Sequence, residues 1–117
     1  MYTAHLVATA LVALLHLGFL VLEMFLWTQP AGRRVFGLKP DFAQATRALA
    51  ANQGLYNGFL VAGLLWGILQ GAAGHDTRVF FLSCVIVAGV FGAATVSKRI
   101  MLVQGVPAIV ALGLTLL

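Results

Sequence analysis

The chain has 117 residues, 62% of them hydrophobic and 9% charged, with a formal net charge of +4. A soluble domain of this length needs many more charges to cover its surface, so the composition excludes one and indicates an integral membrane protein. The length allows a single integral membrane domain of four helices, and the lone cysteine, Cys84, excludes an internal disulfide.

Four apolar runs follow one another, at residues 4–27, 48–73, 79–96 and 100–117. A helix crosses the hydrocarbon core with roughly 20 apolar residues, and about 17 suffice. None of the runs alternates with the period of two that a spanning barrel requires, so helices are predicted throughout. The N-terminal Met1-Tyr2-Thr3-Ala4-His5 lacks the Lys or Arg that opens a secretory signal, and the run after it is too long for one. A retained first helix is expected.

The sizeable loop, 28–46, holds Pro30, Gly32, Gly37 and Pro40, all of which punctuate helices. Asp41 is placed to cap a short helix leading into the second span. Phe36, Leu38 and Phe42 are apolar within this basic loop, which places it at the membrane interface. The connections at 74–77 and 97–99 are short, so the helices they join are antiparallel neighbours. The expected fold is all-α, an antiparallel bundle of four transmembrane helices. Cys84 lies inside the third span and reads as a small buried apolar residue.

Six of the seven Lys/Arg flank the first and third connections: Arg33, Arg34, Lys39, Arg47, Lys98 and Arg99. Only Arg78 is in the second. The positive-inside rule then puts the 28–46 loop in the cytoplasm and both termini outside it. The basic balance reflects topology and anionic-lipid contact rather than nucleic acid, for which no dedicated basic domain exists. Gly54/Gly58 and Gly63/Gly67/Gly71 repeat every four residues in the second run, and Ala88, Gly89, Gly92 and Ala93 mark the third. Such spacing suits close helix contacts, within one chain or between chains. A bundle this small has little interior, so a homo-oligomer is expected.

The polar residues inside the spans carry the functional signal. On the first helix His5, Thr9, His16, Glu23 and Trp27 fall at steps of 4, 7, 7 and 4, which keeps them in one narrow stripe. Glu23 is the one acidic residue within a span, and a carboxylate there must be neutral, paired or wet. The second helix carries Asn52, Gln53, Tyr56 and Asn57, and Gln104 lies three residues before Pro107 on the fourth. With the orientation above, these groups fall in the cytoplasmic leaflet at roughly 5 to 15 Å depth. Two readings compete. Asn, Gln and Thr commonly glue helices together, at well under about 2 kcal/mol each. As a set, Glu23, Trp27, Asn52, Gln53, Tyr56, Asn57 and Gln104 instead describe a ligand-binding pocket open to the cytoplasmic leaflet, suited to a small amphipathic or lipid-like molecule. A transporter or channel subunit would need a polar route through the outer half, which offers only His5, Thr9 and His16. His5 and His16 are about 16 Å apart along one helix and cannot ligate one metal, so a haem or metal would need a pair from two chains or two helices; no metal site is assigned, and the cofactor is unknown.

The motif Asn52-Gln53-Gly54-Leu55-Tyr56-Asn57-Gly58-Phe59-Leu60 resembles that of a bacterial family of small membrane proteins, numbered 1304 among the domains of unknown function. Glu23-Met24-Phe25-Leu26-Trp27, Val35-Phe36-Gly37 and Val103-Gln104-Gly105-Val106-Pro107-Ala108 agree with it, so the likeness spans essentially the whole chain. It implies a four-helix inner-membrane protein with no assigned reaction, and its marked residues match Glu23, Trp27, Asn52, Gln53, Tyr56, Asn57, Gln104 and Pro107. A fainter similarity is to the glutathione- and eicosanoid-metabolising membrane enzymes, carried by Arg47, Asn52 and Tyr56. Leu55 stands where their glutamate would be, and Gly58 where they usually place proline. That similarity implies a glutathione-dependent reaction as the alternative, with Tyr56 polarising the substrate and Arg47 holding a carboxylate.

Overall fold

The computed structural model describes residues 2–117, and Met1 lies outside it. The described chain is all-helical. Helix α1 spans Tyr2–Met24, α2 Pro30–Phe36, α3 Pro40–Ala45 and α4 Arg47–Leu69. A 3-10 turn at Gly71–Gly74 leads into α5, His75–Thr95. The last helical stretch is composite: α6 at Lys98–Ile100, a π turn at Met101–Gly105, and α7 at Val106–Leu116.

Among the described residues, three stretches are long and apolar enough to cross a membrane: Tyr2–Met24, Gly71–Thr95 and Lys98–Leu116. They mark the chain as a membrane protein. Helix α4 is as long as α1, at 23 residues, but is not among the three. Asn52, Gln53, Tyr56 and Asn57 dilute its apolar character. The residues that suggest a site are the same ones that weaken the membrane signal.

The chain divides into two compact units, residues 16–59 and residues 1–15 with 60–117. In the larger unit the core is Val12 and Ala13 of α1, Leu64 of α4, Leu82 and Val85 of α5, and Ala108 and Ala111 of α7. Small residues set the spacing. A Cβ on Gly89 would fall 2.9 Å from the Cα of Gly105, so α5 and the π turn touch backbone to backbone. The π turn itself has a chemical cause. Pro107 has no N–H for the carbonyl four residues back, and its ring crowds that carbonyl. The helix widens there, and the amide of Val106 bonds to the carbonyl of Met101, five residues back. Ser97, in extended conformation, starts this final stretch by accepting from the amide of Arg99 at 3.2 Å.

In the smaller unit the first helix ends at Met24, and Trp27 sits in the turn beyond it rather than inside the span. The 28–46 segment is a loop with two short helices. Each begins with a proline at its first turn, where the missing N–H costs nothing. Gly37, at φ 65°, ends α2 in the left-handed conformation. Lys39 caps α3, and Asp41 lies in its first turn instead of at the cap.

Candidate functional site

Within the smaller unit, the Asn57 amide donates to Glu23 Oε1 at 2.5 Å. Asn57 is buried and Glu23 half-buried. The approach of α4 to the end of α1 depends on Gly54, where a Cβ would meet Met24 Cγ at 2.5 Å and Glu23 Cβ at 3.2 Å. The carboxylate of the first span is therefore paired with an amide of the polar motif.

The rest of the motif faces outward. Asn52, Gln53 and Tyr56 are exposed, and Asn52 donates its amide back to the carbonyl of Ala48 at 3.0 Å. By helical geometry these three share an arc of about 100° on α4. Further along the same arc, Gly63 and Gly67 are buried, Gly63 against the ring of Phe81 and Gly67 against Arg78. One face of α4 is thus packed in its C-terminal half and open, with polar side chains, in its N-terminal half.

Trp27 has a different occupation. Its indole N–H donates to Thr46 Oγ1 at 3.0 Å, and its ring lies 5.0 Å from that of Phe36. It ties α2 and the end of α3 to the turn after α1. Gln104 is half-buried in the π turn and belongs to the other unit. Arg47 and Tyr56 lie nine residues apart, about 180° around α4. The two groups that a glutathione-type reaction would use together do not share a face.

The two histidines of the α1 stripe and the threonine between them face inward: His5, Thr9 and His16 are buried. The Thr9 hydroxyl is satisfied by the carbonyl of His5 at 2.7 Å. Tyr2 packs edge-on against His5, and Phe19 against His16. Among the described residues, no three His, Cys, Asp or Glu side chains gather where they could hold a metal ion. Cys84 is half-buried, on an open apolar groove of about 580 Å³ along α5 that it shares with Phe80, Ser83, Val87, Ala88 and Phe91.

The sequence reading missed Arg78, which it counts only as the one Lys/Arg of its connection. It is 1% exposed. One guanidinium nitrogen donates to the carbonyl of Gly67 at 2.6 Å and to that of Gly71 at 2.8 Å. The Gly67 carbonyl is at the end of α4, where the helix leaves acceptors unpaired and a cation is favoured, and the Gly71 carbonyl opens the 3-10 turn. Gly71, at φ 63°, turns the chain. A Cβ on Gly74 would collide with the carbonyl of Gly67, so only glycine lets the corner close on the arginine. The usable signal in the sequence was a lone arginine just beyond a glycine-rich turn between two apolar runs.

A family model described as a protein of unknown function, DUF1304, matches residues 10–116. The chain is also similar to an uncharacterized protein, YpaA, of Lactococcus lactis subsp. lactis, with 32% identity over 108 residues and 91% of each chain covered. No solved structure matches. The likeness to glutathione-metabolising membrane enzymes is supported by neither match.

Proposed function

Since the chain belongs to the DUF1304 family, we propose that it is a multi-pass protein of the bacterial inner membrane that binds a small amphipathic, lipid-like molecule on α4. In this reading α4 is the fourth span beside the three apolar stretches, both termini lie outside the cytoplasm, and the chain assembles as a homo-oligomer. The Lys/Arg distribution supports that orientation. The observation that carries the ligand reading is the open half-face of α4. Asn52, Gln53 and Tyr56 are exposed beside the part-buried Asn57–Glu23 pair. Amides and a phenol facing hydrocarbon are costly unless something accepts and donates to them, and an amphipathic molecule does both while keeping its tail in lipid. Glue between helices of one chain accounts for Asn57 but not for its three exposed neighbours.

Native mass spectrometry of the chain released from mild detergent tests this. A bound species of lipid-like mass is expected on the wild type and is expected to be lost on combining Asn52→Leu with Tyr56→Phe. A folded wild-type chain that emerges bare sinks the proposal.

A further inference from the structure

We infer that the α2–α3 segment is a docking surface for anionic phospholipid headgroups. The surface stands independently of the ligand reading on α4 and requires only that the chain be embedded in a membrane.

The segment is built, not slack. Gly32 is buried where a Cβ would strike the backbone of Leu26, so α2 lies directly on the turn that ends the first span. Trp27 then fixes both short helices, through the Phe36 ring and the Thr46 hydroxyl. Outside these contacts Arg34, Lys39 and, at the start of α4, Arg47 are all exposed, interleaved along the chain with exposed Val35 and Phe42.

The charge is uncompensated. Between residues 28 and 47 there are four cations, counting half-buried Arg33, against one acid, Asp41. None of the four forms an ion pair among the described residues, and Arg33 Nε is buried without an acceptor. Cations mixed with exposed apolar side chains on short interfacial helices match a headgroup layer, with phosphates above and acyl chains below. The location decides for lipid over a soluble acidic partner, because the segment joins the end of α1 to the start of α4.

Each basic residue near an anionic surface contributes roughly a fivefold preference. The test uses the full chain in nanodiscs of phosphatidylcholine with a minor share of phosphatidylglycerol, reading by mass spectrometry the lipids it retains on extraction. The wild type is expected to enrich phosphatidylglycerol over the bulk mixture. The double variant Arg34→Gln/Lys39→Gln, at exposed positions, is expected to lose on the order of 25-fold of that enrichment, while Arg34→Lys keeps it. A salt series on the wild type gives a readout independent of any variant's folding, since enrichment through exposed charges must fall as salt rises. Equal retention of both lipids by the wild type, full enrichment in the double variant, enrichment insensitive to salt, or displacement of the lipid by inorganic phosphate alone would each overturn the inference.

Discussion

Replacing Arg78 by methionine keeps an unbranched apolar stem of similar reach and removes the guanidinium. Two hydrogen bonds go with it, to the carbonyls of Gly67 and Gly71 at 2.6 and 2.8 Å. Bonds from a charged donor are worth about 1.5–3 kcal/mol each, and a partly buried cation at a helix C-terminus adds up to about 2 kcal/mol. Removing a buried charge returns part of this, because the guanidinium no longer has to be desolvated. The balance is a loss of about 2–4 kcal/mol. Arg78→Lys retains the charge on a shorter, more strongly hydrated head, and a loss of about half that size is expected. Titrating sodium dodecyl sulfate into mild-detergent micelles, with helicity followed by circular dichroism, gives the unfolding free energy. If Arg78→Met unfolds within about 0.5 kcal/mol of wild type, the arginine is not what closes the α4–α5 corner and the argument fails.

The Glu23–Asn57 bond predicts an asymmetry. Glu23→Gln keeps an acceptor oxygen for the Asn57 amide and is expected to cost under about 1 kcal/mol, whereas Asn57→Leu removes the donor and is expected to cost about 1–3 kcal/mol in the same titration. Among the helix glycines, Gly89→Ala drives a methyl into the Gly105 backbone and should lower thermal stability. Gly113, with open space at its Cβ, should tolerate alanine or gain about 0.5–1 kcal/mol, and equal effects at the two positions would contradict the packing described. Trp27→Phe preserves the ring contact with Phe36 but loses the bond to Thr46. Hydrogen exchange of 30–46 should rise in that variant with little change in the core amides of α5, and uniform exchange would show that Trp27 does not hold the segment.

The membrane class and the all-helical fold follow from composition and run length, because burial in lipid demands apolar side chains and internally bonded backbone. The family likeness was likewise carried by the motif at Asn52–Leu60. Periodicity placed His5, Thr9, His16, Glu23 and Trp27 on one stripe; in the structure the first three are buried, Glu23 is half-buried, and Trp27 lies in the turn beyond α1. Periodicity fixes the angles between side chains on a helix, but it does not say which angle another helix covers. Only the tertiary structure separated Asn57, buried on Glu23, from Asn52, Gln53 and Tyr56, which stand open on the adjacent face. It also decided the use of the glycine repeats. Gly54, Gly63 and Gly67 are spent on contacts within the chain, a choice that spacing alone leaves open. Arg78 is the clearest case: a lone arginine after a glycine-rich turn marks the corner, but its pairing with carbonyls seven and eleven residues earlier depends on how that corner folds.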